Sequence, residues 1–166
     1  KERRRMEQYI AAIQNLPQDS PSRIHIQQAL RAQKTQQAPV GYVEELFDQY
    51  AQKFDEHLLG TLSYQAPVLV AQVLFNRFST EEPADEVLDL GVGTGLLGEL
   101  IASISRRLVG VDISNNMLSK AEEKSLYHEL HHSDILSFLS ATKERYQIIA
   151  LVDTLVYFGE LLSVFS

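Results

Sequence analysis

The segment VLDLGVGTGLLG at residues 87–98 constrains the fold more than any other stretch of the chain. A short apolar strand runs into three glycines at alternate positions, Gly91, Gly93 and Gly95, and then into a helical pattern. A strand that turns at once into a helix needs positive φ angles, which glycine adopts without steric cost. Bare backbone also lets a ligand come within contact distance, and the helix presents unpaired N–H groups at its start. Asp112 follows Gly91 by twenty-one residues and ends a second strand, LVGVD at 108–112. A carboxylate placed there can accept hydrogen bonds from both hydroxyls of a ribose.

Strand and helix alternate from this point. The pattern predicts a helix over 96–103, another from about 115 to 124 and a third strand over 126–130. A helical turn over 135–139, a fourth strand over 147–152 and a helix over 159–165 follow. This order predicts an α/β fold, a Rossmann-like, doubly wound parallel sheet that is partial, with about four strands. An α-helical N-terminal segment precedes it. Residues 6–16 read as the end of a helix stopped by Pro17, and residues 23–33 as a short helix capped by Ser20 or Ser22. Residues 34–39 read as a polar linker. Residues 42–59 place Val43, Leu46, Phe47, Tyr50, Phe54 and Leu58 on one helical face, with Gly60 as the stop. Pro67 opens a further helix over 68–78. The expected division is 1–39, helical segment and linker, and 40–166, the cofactor-binding domain.

Charge and spacing narrow the ligand. The 166 residues carry a net charge of −7, divided as +1 over 1–80 and −8 over 81–166. Such a domain is a poor match to a phosphate backbone, which disfavours nucleic acid as a partner, and the cluster at Arg3, Arg4 and Arg5 reads as a solvated helix face. The chain has no cysteine, which excludes disulfides, thiolate metal sites and thiol catalysis. No apolar run approaches the ~18 residues of a membrane span, and no signal-peptide pattern is present. These features fit a cytoplasmic protein that does not engage a membrane. His128, His131 and His132 lack a completing carboxylate pattern, so no metal site is expected. The spacing from Gly93 to Gly98 also satisfies the dinucleotide fingerprint and by itself leaves NAD open. Asp89, two residues before Gly91, would oppose a pyrophosphate and favour the ammonium of a methionine tail. The competing structural roles are hydrogen bonding to loop amides for Asp89 and helix capping for Asp112.

Residues 87–98 resemble motif I of the class I S-adenosylmethionine-dependent methyltransferases. The segment GVDISNNMLSKA at 110–121 resembles that family's second-strand motif. HSDILSF at 132–138 resembles its adenine-contacting segment, and YQIIALVD at 146–153 its fourth-strand motif. Segments 42–58 and 155–161 are further similar to bacterial predicted methyltransferases with tetratricopeptide repeats upstream. Tyr9, Ala12 and Pro17 fit the second helix of such a repeat, so residues 1–39 are expected to include the end of a repeat array and a site for a protein partner.

The resemblance implies binding of S-adenosylmethionine, with S-adenosylhomocysteine as product, and methyl transfer to a small-molecule or protein acceptor. It implies that Asp89, Gly91, Gly93 and Gly95 hold the methionine moiety and that Asp112 binds the ribose. Ile113 and Met117 would flank the adenine, Asp134 would accept from its amino group, and Ile135 would pack on the ring. Asp153 would lie near the methionine end or the substrate. Tyr50 and Phe54 would cover the cofactor, against the competing reading of an ordinary core stripe. No catalytic residue is assigned, Asp153 and Tyr157 being positional candidates. The family sheet has seven strands, whereas four are found here. The expectation is therefore a piece of a longer protein that keeps the cofactor half, lacks a complete acceptor site and leaves the fourth strand with an open edge. The alternatives are a non-catalytic binding or interaction module and an NAD-dependent oxidoreductase domain.

Overall fold

A computed structural model describes residues 17–30, 38–61, 64–158 and 161–165. The expected helix over 6–16 and most of the linker over 34–39 lie outside the described residues. Four parallel strands form one sheet in the order β3-β2-β1-β4, with β1 at Ala84–Leu90, β2 at Ser105–Asp112, β3 at Glu129–His132 and β4 at Ile148–Ala150. Helices α1 (Pro21–Leu30), α2 (Val40–Tyr50) and α3 (Ala66–Phe75) precede the sheet. Helices α4 (Leu96–Ile101), α5 (Asn115–Glu123), α6 (Ile135–Ala141) and α7 (Leu162–Phe165) alternate with or follow its strands.

Alternation along β1 and β2 divides the core between the two faces of the sheet. Val87 and Leu108 pack with Ala71 of α3 and Leu97 and Ile101 of α4 on one face. Leu88, Leu90, Val109 and Val111 pack with Ile135 of α6 on the other. Both faces of the central strands are thus covered, which is why their sequences read as nearly continuous apolar runs.

Three expectations are corrected. The third strand lies at Glu129–His132 rather than 126–130, because its pairing runs from Val109↔Glu129 to Asp112↔His132 and Tyr127 is used elsewhere. As an edge strand it tolerates Glu129 and His132 on its exposed positions, so it lacks an apolar signature. The helix over 42–59 is not continuous: α2 ends at Tyr50, a 3-10 turn occupies Ala51–Lys53, and a π turn occupies Glu56–Thr61. The latter runs through Gly60 instead of stopping there. These changes of pitch bury Ala51 at 3% exposure and swing Asp55 towards the glycine loop. At the start of α1, Ser20 rather than Ser22 accepts the Arg23 amide at 3.3 Å. Among the described strands β4 pairs on one side only, with Ile149 half exposed, as expected of an open edge.

Candidate cofactor site

The turn from β1 into α4 is made by Gly91, Gly93 and Gly95, with φ of 78°, 54° and 85°. The loop is tied to β2, since the amides of Gly91 and Val92 both donate to the Val111 carbonyl, at 2.8 and 3.0 Å. Asp112 Oδ2 accepts the Gly93 amide at 2.7 Å, and Asp112 Oδ1 accepts the Ser114 amide at 2.9 Å. One carboxylate thus joins the glycine loop to the start of α5. Each of its oxygens keeps acceptor capacity for a further donor. Asp112 therefore has a structural role, and it also lines the cleft above the loop.

That cleft has a volume of about 370 Å³ and lies beyond the C-terminal ends of the strands, where open α/β sheets bind their ligands. Gly91, Gly93, Ile113, Asp134, Ile135 and Asp153 all line it. Its roof is α2 and the turn that follows, with Tyr50 and Phe54 on the lining surface. These rings pack edge to face at 5.3 Å, and none of the residues of α2 is buried. The aromatic stripe faces the cleft and is not part of the packed core. Asp134 also caps α6, accepting the Ser137 amide at 3.0 Å.

Three of the expected site residues stand behind the lining. Gly95 faces Tyr127 and Ala121. Met117 is fully buried in α5. Asp89 is 2% exposed, and one of its oxygens accepts the Tyr127 hydroxyl at 2.7 Å. Burial pushes the Asp89 carboxyl up to about 7, against the opposing pull of the Tyr127 hydroxyl and with added repulsion from Asp112. Burial likewise raises Asp112, although the backbone amides of Ser114 and Gly93 draw it back. Two adjacent carboxyls are therefore held above their ordinary range. No Lys, Arg or His occurs among the described residues that line the cleft.

Several contributors carried no sequence signal of their own. The Tyr127 ring fills a slot formed by Gly95, Gly98 and Gly110, where an added Cβ would meet it at 3.2, 2.6 and 3.0 Å. Tyr64 and Asp153 both line the cleft, and burial followed by the nearby Asp153 carboxylate holds the Tyr64 phenol well above the usual range. The stretch from α2 to the π turn is strapped to the sheet by Asp48 and Asp55, seven residues apart. Asp48 accepts from Ser114 and from the Asn116 amide, the latter at 3.2 Å. Asp55 accepts from Thr94 of the glycine loop and pairs with Lys124 at 3.1 Å. Replacing both (Asp48→Ala with Asp55→Ala) is expected to leave the sheet intact while amide exchange in α2 quickens about tenfold or more, as read by hydrogen–deuterium exchange. Unchanged exchange would mean that apolar contacts alone seat this roof. The histidines are engaged structurally: the His128 ring accepts the Leu108 amide at 3.0 Å, and the His132 ring bonds the Ile113 carbonyl at 2.8 Å.

Residues 87–165 match a family described as a methyltransferase domain. An rRNA adenine N-6-methyltransferase of Streptococcus sanguinis is 30% identical over 97 residues, which are 55% of this chain and 40% of that enzyme. The chain thus spans about two fifths of the curated relatives it matches. Among solved structures, magnesium protoporphyrin IX methyltransferase from Synechocystis PCC 6803 with bound SAM superposes with a TM-score of 0.58 at 18% identity, over 72% of this chain and 64% of that one. The N-methyltransferase NodS from Bradyrhizobium japonicum WM9, in complex with S-adenosyl-l-homocysteine, gives 0.57 at 18% identity, over 73% and 61%. The glycine loop and the carboxylate at the end of β2 thus lie within the segment that matches the methyltransferase domain family, on a sheet with the fold of methyltransferases solved with SAM or S-adenosyl-l-homocysteine bound.

Proposed function

We propose that this chain supplies the cofactor-binding half of an enzyme that transfers a methyl group from S-adenosylmethionine to an acceptor. The observation that carries the reading is the joint between Asp112 and the glycine loop, at the edge of a cleft whose described lining holds carboxylates and no cation. The donor set fits the cofactor's chemistry. An added Cβ on Gly93 would meet only Phe54, at 3.8 Å, so the loop leaves room above it for a ligand. A ligand bearing a sulfonium and an ammonium would relieve the crowding of Asp89 and Asp112.

In this reading Gly91, Gly93 and Gly95 shape the methionine end, with Asp89 behind them supplying negative field. Asp112 receives the ribose hydroxyls. Ile113, Ile135 and Asp134 enclose the adenine, while Met117 lies in the core rather than on the cleft wall. Tyr50 and Phe54 exclude water from above, and Asp153 stands at the methyl end. The bound cofactor supplies an already activated methyl group, so the protein's task is alignment and exclusion of water.

Residues 40–166 are read as the N-terminal part of the methyltransferase domain and residues 1–39 as the tail of a tetratricopeptide array in a bacterial, cytoplasmic protein. The spacing of Tyr9, Ala12 and Pro17 supports the latter. The net charge of −7 favours a small-molecule or protein acceptor over the RNA that is named for the Streptococcus relative.

Calorimetric titration tests the reading. S-adenosylhomocysteine is expected to bind saturably and NAD not at all. Asp112→Ala should weaken binding by about tenfold to a hundredfold, the worth of losing hydrogen bonds to a charged acceptor. A folded chain that takes up NAD, or neither ligand, would sink the proposal.

A further inference from the structure

The cleft has two chemically distinct ends. Gly93, Asp112, Ile113 and Asp134 gather at the ends of β1, β2 and β3, whereas Tyr64, Asp153, Tyr157 and Phe158 gather beyond β4. Because β1 lies between β2 and β4, the strands that lead to Asp112 and Asp153 are two spacings apart, about 10 Å. A cofactor whose adenine sits at Asp134 and whose ribose sits at Asp112 brings its methionine end over the glycine loop towards β4, so the residues beyond β4 face the methyl group.

That far end is built for something specific. Asp153 holds a left-handed backbone, φ 55°, a conformation that most side chains avoid, and it presents an exposed carboxylate at the cleft. Tyr64, from the segment before α3, lines the same end of the cleft, and its phenol, raised by burial and by the nearby Asp153 carboxylate, stays a donor throughout the physiological range. Around this polar pair the walls are apolar and aromatic. Phe47 and Tyr157 meet edge to face at 5.4 Å, with Val152 and Phe158 alongside. The charged side chains among the described lining residues are Asp112, Asp134 and Asp153, all carboxylates. An anionic group entering this end would meet the Asp153 carboxylate, and no cationic side chain occurs among the described lining residues.

We infer that the end formed by Tyr64, Asp153, Tyr157 and Phe158 is the acceptor subsite, and that it takes a small aromatic molecule bearing an amine and no anionic group. The aromatic walls receive the ring, and Asp153 accepts an N–H of the amine. Tyr64 adds a phenol donor to the same end of the cleft. This inference rests on the methyltransferase reading, since the cofactor must occupy the Asp112 end for the Asp153 end to serve the acceptor. The charge pattern runs against a polynucleotide acceptor, although RNA is named for curated relatives of the chain.

The test uses the full chain and three amines, phenethylamine, tyramine and tryptamine, titrated with and without saturating S-adenosylhomocysteine. Phenylacetate and a short adenine-containing RNA serve as anionic comparisons. At least one amine is expected to bind saturably, and both anions to bind at least about tenfold more weakly. Asp153→Asn keeps a side chain that tolerates the left-handed backbone and should lower amine affinity about tenfold. Tyr64→Phe should lower it less. Absence of saturable binding by all three amines, or comparable binding of phenylacetate or RNA, would overturn the inference. So would an equal loss of S-adenosylhomocysteine affinity in Asp153→Asn, which would return Asp153 to the cofactor. Failure of S-adenosylhomocysteine to bind while the amines still do would instead strike at the methyltransferase reading, so the two failures are distinguishable.

Discussion

Alanine at Gly91 is expected to destabilise the chain by about 2–5 kcal/mol and to abolish S-adenosylhomocysteine binding. Two separate costs meet at this residue. With φ at 78°, it sits where an L side chain costs roughly 1–2 kcal/mol. An added Cβ would also overlap Thr154, lying 2.8 Å from its Cγ2 and closer still to Oγ1. Thr154 has little room to retreat, because its hydroxyl donates to the Leu90 carbonyl at 3.1 Å and lies 3.2 Å from that of Val152. The end of β1 and the segment after β4 are thus joined through one threonine packed on one glycine. Forcing them apart costs overpacking energy of about 1–3 kcal/mol and displaces both walls of the cleft. Urea denaturation of Gly91→Ala beside the double variant Gly91→Ala/Thr154→Ala separates the two costs. The second change removes the two nearest contacts, so stability should partly return while the backbone cost remains. A single variant as stable as the parent would show that the loop yields and that the tight joint has no energetic weight.

The parts of the site legible in the sequence are those where the backbone itself is constrained. Gly91, Gly93 and Gly95 were readable because positive φ excludes other residues, and Asp112 because its distance from the loop is set by one helix and one strand. The central strands were readable because burial on both faces demands apolar runs. Elsewhere the local pattern lacked the deciding information. Tyr127 looks like a strand residue by type, yet it is the plug in a slot of three glycines drawn from α4, its preceding loop and β2. The slot exists only once β2, α4 and α5 have packed. Helical periodicity predicted one helix over 42–59, but the chain changes pitch at Ala51–Lys53 and again at Glu56–Thr61, beside an Asp55 that meets Thr94 and Lys124, and periodicity is blind to a partner on another element. Met117 falls at a position where family likeness suggests cofactor contact, and the pitch of α5 carries it into the core. Tyr64 joins a cleft whose other walls come from residues far away in sequence, and so left no local mark.

The Tyr127 slot leads to the second large effect, on the dependence of stability on pH. Asp89 is fully enclosed, with its carboxyl at about 7 in the folded chain against an ordinary 3.8. The folded state therefore holds this proton more tightly than the unfolded state does. Its contribution to stability is complete below about pH 4 and is lost as pH rises towards about 7, above which both states are ionised. That interval, at about 1.4 kcal/mol per pH unit, corresponds to a loss on the order of 4 kcal/mol between pH 4 and pH 7.5. The usual paired carboxylate gives the opposite slope, whereas Asp112, also raised by burial, adds to the same limb, so the Asp89 share is read from its variant. Asp89→Asn removes the titrating group and should flatten this limb, leaving the variant relatively more stable at pH 8 than at pH 5. Tyr127→Phe keeps the ring in its slot but withdraws the donor that draws the Asp89 carboxyl down, so the falling limb should extend to higher pH. Gly98→Ala attacks the same joint sterically. Its Cβ would lie 2.6 Å from the Tyr127 ring and hydroxyl, and expelling the ring would uncover Asp89, costing stability at pH 5 and diminishing the slope. Denaturant midpoints of the parent and the three variants from pH 4.5 to 8.5 decide the matter. A parent whose stability rises across that range by as much as Asp89→Asn does would show that the Asp89 carboxylate is stabilised by its setting, and the account of a buried, neutral-leaning acid behind the glycine loop would fail.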